Sequence, residues 1–416
     1  MAAHMDRDTA NIIAAGIAIQ AQNYGKYETA SGVMMSAPAL ALEGSIGIGK
    51  SSIIEAMLDY WEYYYELIQV SQQEPEAASG FPKVVAMTIG KVKEFVTALI
   101  PAEWVGNLKQ AMSNSKYKGV ALIADEMSEA PRRTQLAYQG PLLNRMFGRI
   151  RLVGLATIAI FNPPAISTTN GSFSVAVANR FCMLFDFKVS FKEWRRGMLE
   201  GFGPPPVVKL PKDWQKSIRI AMEYIMLYLE QNPRMVQATE EEILEREEAW
   251  KPIYTRRSWT HGAILWAAAQ AAGCDQQVQH LLLAGCVGEK ASQDFFHWKE
   301  RLKLGDASEY LTDDWLKNGE FKNNQGDVVS ATVAMVSMYY MRNKTPKTFM
   351  RMLRFIEKCA DLKWEGIAVS YINSLDLFSP SSLPKGISPK DWKEVVCPIM
   401  SKFPDFIQQS GIAEHL

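Results

Sequence analysis

Hydrophobic and polar positions follow two different periods along the chain, and the change between them divides the sequence. The first half contains short, nearly continuous apolar runs bounded by glycine-rich or polar segments, which predict buried strands. These runs are residues 39–42, 83–89, 118–124, 155–161 and 182–187. Because strands buried on both faces of a parallel sheet are apolar throughout, we expect an α/β domain with a parallel sheet.

Apolar residues at helical spacing predict the remaining elements. One helix is expected over residues 7–23, and a second begins near Ser52 and continues to about residue 70. Residues 91–114 are predicted to form a short helix and a loop between two core strands, and residues 148–154 a small hairpin. After a stiff Gly- and Pro-rich break at 201–206, helices are predicted at 212–231, 239–249, 258–272, 275–288, 290–302, 328–342 and 346–359. Residues 360–416 have a mixed pattern.

The segment between the first strand and the next helix carries a phosphate-binding motif. Gly44-Ser45-Ile46-Gly47-Ile48-Gly49-Lys50-Ser51 matches G-x-x-x-x-G-K-[ST]. Its glycines allow the backbone to turn and to direct N–H groups at phosphate oxygens. Lys50 would reach the terminal phosphates, Ser51 would offer a hydroxyl to Mg²⁺, and the anion would lie at a helix N-terminus. The candidate ATP-binding residues in this segment are Gly44, Gly47, Gly49, Lys50, Ser51 and Ser52.

Two further strands end in polar residues that suit the same chemistry. The run at 118–124 leads directly into Asp125 and Glu126, where a buried strand would place Asp125 near Mg²⁺ and Glu126 near an attacking water. The run at 155–161 ends at Asn162, at the strand end where ligands bind in open α/β sheets. An asparagine before proline also initiates turns, so this second interpretation of Asn162 remains open.

Composition and charge narrow the class of protein. With 416 residues and 48% apolar content, the chain can form two or three domains of roughly 100–200 residues each. Lysine plus arginine and aspartate plus glutamate number 45 each, so the net charge is zero and a global basic footprint for nucleic acid is missing.

The cysteines, the lengths of the apolar runs and the first six residues indicate the cellular compartment. None of the five cysteines forms a CxxC pair, which suits a reducing compartment, and Cys274, His280 and Cys286 are expected to be buried helix residues. No run reaches the roughly 18 apolar residues of a membrane span, and residues 1–6 lack the pattern of a secretory signal. We therefore expect a cytoplasmic protein without a membrane partner.

Taken in order, these motifs resemble those of AAA+ ATPases, and more narrowly the MoxR-like branch, with dynein-related and midasin-type modules as relatives. The resemblance covers roughly residues 36–190. A weaker similarity links Tyr254-Thr255-Arg256-Arg257-Ser258-Trp259 to a motif of the family's helical lid. The segments that carry the main resemblance are 44–51, 124–131, 133–135, 161–163 and 178–181. Asn179 stands where the family has aspartate, and Ser128-Glu129 where it has Asn-Arg.

The resemblance implies a fold and a division of the chain. It implies a three-layer αβα P-loop core with a parallel sheet, followed by an all-α lid and a mostly helical C-terminal extension. The implied segments are an N-terminal helical segment at 1–35, the nucleotide-binding core at 36–203, the lid at 204–302 and the extension at 303–416.

The resemblance also implies roles for individual residues. Lys50 and Ser51 would bind phosphates and Mg²⁺ with Asp125 as the second magnesium residue, and Glu126 would orient water. Asn162 would sense the γ-phosphate. Arg180 would be an arginine finger toward the ATP of a neighbouring subunit, although a structural salt bridge is an alternative, and Arg257 would be a second sensor in the lid.

Family members form rings, usually hexamers, and many remodel or mature a partner protein, often one with a von Willebrand A domain. Two alternatives stay open for this chain. One is a nucleic-acid-directed motor or restriction-type module, in which Lys91, Lys93, Lys109, Lys116 and Lys118 would line a pore. The other is a protein that uses ATP only to assemble, against which the intact Lys50, Asp125 and Glu126 argue.

Overall fold

The computed structural model describes residues 7–24, 26–28, 34–90, 92–164, 175–187, 190–201, 204–206, 208–245, 250–302, 306–321, 323–375, 377, 384 and 386–403. The chain divides into two compact units. The first contains the residues up to Leu210 together with Arg234–Ala269 and Cys274–Gln293. The second contains Pro211–Pro233, Gln270–Gly273 and the residues from Asp294 onward. The division into a core, a lid and an extension stays a prediction.

A five-stranded sheet forms the centre of the first unit. Its strands are β3 (Ala39–Glu43), β4 (Tyr63–Gln69), β7 (Gly119–Asp125), β10 (Ala156–Phe161) and β11 (Phe181–Leu184). Their spatial order is β11-β3-β10-β7-β4, and all four pairings are parallel. Every residue of β3 and β10 is buried, because helices cover this part of the sheet. The predicted α/β class with a parallel sheet is confirmed.

Helices cover the sheet and fix its strands. Those before residue 201 are α1 (Arg7–Asn23), α2 (Lys50–Tyr60), α3 (Pro75–Ser79), α4 (Glu103–Met112), α5 (Arg132–Gln139), α6 (Val175–Ala178) and α7 (Phe191–Glu200). Helix α1 contacts β3 and β10, and the Asn23 Oδ1 accepts a hydrogen bond of 3.2 Å from the Val120 N–H of β7. Helix α4 contacts β4 and β7 and inserts Val105 and Leu108 into the core.

The predicted helix from Ser52 to about residue 70 is wrong in its second half. Helix α2 ends at Tyr60, Glu62 adopts a left-handed φ of 58°, and the chain continues as the edge strand β4. The run Tyr63-Tyr64-Tyr65-Glu66-Leu67-Ile68 is rich in the aromatic and branched residues that fit a pleated, half-buried surface. Strand β4 supplies the fifth strand of the sheet.

The predicted core strand at 83–89 lies outside the sheet. It is part of β5 (Phe81–Ile89), which pairs antiparallel with β6 (Val92–Ile100) in a separate hairpin. Two residues separate these strands, and so short a connection can join only antiparallel neighbours. Segment 91–114 thus contains a strand as well as the predicted short helix, and Lys91 lies outside the described residues.

Two smaller antiparallel pairs accompany the sheet. Strands β1 (Lys26–Glu28) and β2 (Met34–Ser36) form one pair, and β8 (Met146–Phe147) and β9 (Ile150–Arg151) form the other. The second pair is the predicted small hairpin, displaced by a few residues toward the N-terminus. The strand predicted at 182–187 is β11, which begins one residue earlier and ends at Leu184.

The C-terminal half contains many helices, as predicted. They are α8 (Lys216–Gln231), α9 (Glu240–Leu244), α10 (Arg256–Ala271), α11 (Gln276–Val287), α12 (Glu289–Arg301), α13 (Asp313–Asn318), α14 (Gly326–Arg342), α15 (Pro346–Asp361), α16 (Glu365–Leu375) and α17 (Pro389–Met400). The predicted helix 239–249 is shorter in the structure, and its residues 246–249 lie outside the described part of the chain.

Aromatic side chains form the core of the second unit. Tyr224 and Tyr228 of α8 contact the Trp298 ring edge-on, with centroids 6.1 and 5.5 Å apart. Helix α8 also packs against α14 and α16. In the described part of the chain, no helix is both long enough and apolar enough to cross a lipid bilayer.

Candidate functional site

The phosphate-binding motif lies where β3 ends and α2 begins. Gly47 and Gly49 have left-handed φ angles of 74° and 85°, which side chains rarely tolerate. At Gly44 a Cβ atom would come within 2.6 Å of the Phe187 carbonyl oxygen. Glycine is therefore favoured at all three positions, at two by the positive φ angle and at Gly44 by the close carbonyl oxygen. The loop leads directly into a helix N-terminus at Lys50.

The Lys50 ammonium contacts oxygen atoms from this loop and from the residue that follows β10. Its Nζ donates hydrogen bonds to the carbonyl oxygens of Gly44 and Ser45 at 2.7 and 2.9 Å, and to the Asn162 Oδ1 at 3.0 Å. Burial lowers the pKa of Lys50, and the nearby carboxylates of Asp125 and Glu43 oppose this shift. Of these two carboxylates, Asp125 belongs to the candidate site and Glu43 is the last residue of β3.

Strand register explains why Asn162 reaches the loop. Strands β10 and β3 are direct neighbours, and Phe161 lies opposite Glu43, so Asn162 follows at the level of Gly44. The Asn162 N–H donates to the Ser128 Oγ at 3.1 Å, which fixes the backbone after the strand. The predicted proximity of Asn162 to the phosphate-binding loop is present in the structure.

Asp125 and Ser51 form the second polar pair of the site. The Ser51 Oγ donates to the Asp125 Oδ2 at 2.5 Å, and the Glu126 N–H donates to the Asp125 Oδ1 at 2.8 Å. A hydroxyl and a carboxylate are oxygen ligands of the kind that would hold Mg²⁺. Among the described residues, no group of three or more His, Cys, Asp or Glu could hold a metal ion by itself.

Glu126 has a left-handed backbone and a fixed side chain. Its φ is 55°, a conformation that costs a non-glycine residue about 1–2 kcal/mol, and such strain is concentrated at functional sites. The Glu126 Oε2 accepts a hydrogen bond from the Ser71 Oγ. Ser71 lies in the 3₁₀ turn Val70–Gln72 after β4. The sequence pattern did not indicate Ser71, because residues 63–69 were predicted to continue the preceding helix.

An apolar cavity of about 360 Å³ adjoins the phosphate-binding loop. Its walls come from α1, the loop and α2, α7, and the proline run 204–206. Ile12, Ile53 and Trp194 provide its large side chains, and the Trp194 indole stands beside the Phe191 ring with centroids 5.9 Å apart. No sequence signal singled out Ile12 or Trp194, since both are far from the motif in the chain.

Arg180 and Arg257 lie together at the opposite edge of the sheet. Arg180 directly precedes β11, and Phe181 of that strand pairs with Ala39 at the start of β3. The phosphate-binding loop follows the other end of β3, one five-residue strand or about 16 Å away. Arg257 lines the same cavity as Arg180, together with residues 35–38 that precede β3. The structure thus groups Arg257 with Arg180 and not with Lys50.

Comparison with known proteins adds no relative. A scan against protein-family models finds no match, and a search of curated proteins finds no significant match.

Proposed function

We propose that the chain is a Mg²⁺-dependent ATP hydrolase of the AAA+ type, most similar in its motifs to the MoxR-like branch. The observation that carries this proposal is the meeting of Lys50, Ser51, Asp125, Glu126 and Asn162 at the carboxyl edge of one parallel sheet. Ligands bind at this edge in open α/β sheets.

The triphosphate would be held by the glycine-rich loop and Lys50. The loop supplies backbone N–H groups and a helix N-terminus for the anion. Phosphate oxygens would replace the loop carbonyls as acceptors for the Lys50 ammonium, and charged acceptors bind it more strongly. Ser51 and Asp125 would hold Mg²⁺, which neutralises phosphate charge when bound.

Glu126 would act as the general base. Its Oε2 is engaged by Ser71, whereas its Oε1 forms no hydrogen bond with another described side chain and can accept a proton from water. As the water oxygen bonds to the γ-phosphorus, its proton passes to Glu126 and the bond to the β–γ bridging oxygen breaks. The products are ADP and inorganic phosphate.

The apolar cavity beside the loop would receive the nucleobase. A volume of about 360 Å³ lies within the range of ligand pockets, and the indole of Trp194 offers a flat apolar surface for a planar base. Ile12 and Ile53 would contact the base from other sides.

Arg180 would complete the active site of a second copy of the chain. It cannot reach its own loop across the length of β3, so a catalytic role requires a neighbouring subunit, as in the ring, usually a hexamer, that the resemblance implies. A trans arginine is worth about 10³–10⁵ in rate. Among the described residues Arg180 forms no ion pair, which favours this role over a structural salt bridge.

A protein client fits the surface better than nucleic acid does. In the β5–β6 hairpin, Phe95 is 81% and Val84 is 65% exposed, and exposed apolar side chains of this kind contact proteins. Lys83 and Lys93 are the only cations of the hairpin whose side chains the structure describes, which is few for binding a phosphate backbone. The resemblance further implies that the client contains a von Willebrand A domain.

The test is ATP binding and turnover in two site variants. Lys50→Ala should lose tight ATP binding in calorimetry, because alanine cannot replace the charge. Glu126→Gln should bind ATP and hydrolyse it about 10²–10⁴-fold more slowly. Lys118→Ala, an exposed lysine paired with Glu62, is the matched control. ATP binding by Lys50→Ala equal to that of the parent would refute the assignment, and parental turnover in Glu126→Gln would place the base elsewhere.

A further inference from the structure

The cavity at the amino edge of the sheet is lined by cationic side chains. Its volume is about 410 Å³, and it lies entirely within the first unit. Among the described residues that line it, none is an aspartate or a glutamate. Its polar lining consists of Ser36, Asn144, Arg145, Arg180, Arg257, Thr260 and His261. The cavity therefore concentrates positive charge that its own walls do not neutralise.

One of these charges, the Arg145 guanidinium, is held in place by hydrogen bonds. Its side chain is buried, and it donates hydrogen bonds to the carbonyl oxygens of Leu143, Leu155 and Ala37 and to the Gln22 Oε1, at 2.8–3.4 Å. All of these acceptors are neutral. Burial and the nearby Arg151 lower the pKa of Arg145 to about 10, so the guanidinium stays charged at neutral pH.

Arg180 and Arg257 supply the available donors. In the part of the chain that the structure describes, neither guanidinium forms a salt bridge or a side-chain hydrogen bond. A guanidinium presents its N–H groups as a planar fork that matches the oxygens of phosphate. Two such forks therefore face one cavity without a bound anionic partner from the described chain.

His261 provides the second, independent sign of a ligand. Its Nδ1 is buried and has no hydrogen-bond partner among the described residues, which is costly for a polar atom in a protein interior. Burial, with Arg257 and Arg145 as further causes, lowers the pKa of His261 to about 4, so the imidazole is neutral at pH 7 and carries one N–H donor. An anion in the cavity would offset the arginine charges that face His261.

We propose that this cavity is a second anion site, which binds a phosphate-bearing ligand between Arg180, Arg257 and His261. Phosphate is favoured because it offers several charged oxygens to forked donors, and the volume suits a short polyphosphate chain. The anion has two possible sources, namely a free phosphate compound or the triphosphate of a nucleotide held by a second copy. The cavity is separate from the chain's own phosphate-binding loop. Binding of a free phosphate compound is independent of the function proposed for that loop, whereas the second source rests on it.

The first experiment measures binding to a single copy. The full chain carrying Lys50→Ala, which disables the loop, is titrated with inorganic tripolyphosphate by calorimetry at low salt. Saturable binding of one tripolyphosphate per chain is expected, and Arg257→Gln or Arg180→Gln added to this background should weaken it by about tenfold or more. Arg256→Gln is the matched control, because Arg256 precedes Arg257 on α10 and does not line the cavity. Melting curves confirm that each variant folds.

The second experiment identifies the source of the anion. Lys50→Ala is mixed with ATP-loaded Glu126→Gln, and sedimentation is measured with and without tripolyphosphate. Association that tripolyphosphate reverses assigns the anion to a nucleotide of the second copy. Single-copy binding without association assigns it to a free phosphate compound. The proposal is overturned if the first titration shows no saturable binding and no reversible association occurs, or if folded Arg180→Gln and Arg257→Gln bind as well as Arg256→Gln.

Discussion

At the scale of single residues, the contact between Ser71 and Glu126 gives the candidate base its orientation. Glu126 has a left-handed backbone, and the Ser71 hydroxyl donates a hydrogen bond to one of its carboxylate oxygens. The other oxygen is left for water. If Glu126 orients water as proposed, Ser71 is a positioning residue for the reaction and has no role in nucleotide affinity.

Ser71→Ala should lower kcat for ATP by about tenfold to a hundredfold, the effect of one lost hydrogen bond to a charged group. The Kd for ATP should not change, because Ser71 does not line the loop or the adjoining cavity. Steady-state kinetics and calorimetry separate the two quantities. Ser71→Thr, which keeps the hydroxyl, should recover most of the rate, and equal loss in both variants would contradict a positioning role.

His261 makes a second prediction at this scale, and it concerns stability. The unfolded imidazole binds a proton below about pH 6.5, whereas the native imidazole remains neutral until about pH 4. The native state therefore loses stability as the pH falls through this interval, by up to roughly 3 kcal/mol. His261→Gln removes this dependence.

Urea unfolding of His261→Gln between pH 7.5 and pH 4.5 should thus show a smaller loss of stability than in the parent. The matched control is His297→Gln, which makes the same substitution at an exposed position that does not line the cavity. A parental slope in His261→Gln would mean that other groups cause the acid sensitivity.

At the scale of elements, the β5–β6 hairpin presents several apolar side chains to solvent. Phe81, Val84, Met87, Phe95 and Leu99 are all more than 40% exposed. A two-stranded hairpin is marginal in water by itself, and loops and hairpins on a rigid scaffold often carry binding functions. Its apolar residues are therefore available for a partner protein.

Replacing residues 82–99 by a short Gly-Ser linker should leave ATP affinity and the melting temperature almost unchanged. The linker needs to span only the paired ends Phe81 and Ile100, and the removed side chains bury little apolar surface. Work on the partner protein should be impaired. A collapsed melting transition would show that the hairpin is instead required for core packing.

At the scale of the whole molecule, the separation of Arg180 from its own loop connects activity to assembly. If Arg180 acts on the nucleotide of a neighbour, each site is completed by a second copy, and specific activity should rise with protein concentration. The alternative, in which Arg180 is only structural, predicts activity that does not depend on concentration.

Arg180→Ala should bind ATP normally and lose turnover by about 10³–10⁵-fold, because transition-state charge is left uncompensated. Mixing it with Lys50→Ala should restore part of the activity, since one subunit then offers an intact loop and the next an intact arginine. The measurement is an ATPase titration of the two variants at fixed total protein. An inactive profile, with mixed assemblies verified by mass, would contradict a shared site.

The sequence alone determined the features that depend on neighbouring residues. The glycine spacing around Lys50 requires a tight turn before a helix, and the apolar run before Asp125 requires a buried strand, so both were predictable from local pattern. Local pattern did not distinguish helix from strand at Tyr63–Gln69, because aromatic residues can occupy either element. The segment is a strand because it pairs with β7 at the edge of the sheet.

The tertiary structure alone decided which distant residues meet. The strand order places Asn162 beside Gly44, brings Ser71 to Glu126, and puts Arg180 beyond the reach of its own loop. It also gathers Arg145, Arg257 and His261 in one cavity, although more than 100 residues separate Arg145 from the other two. No local pattern encodes these contacts, because strand pairing and helix packing bring together residues that are far apart in the sequence.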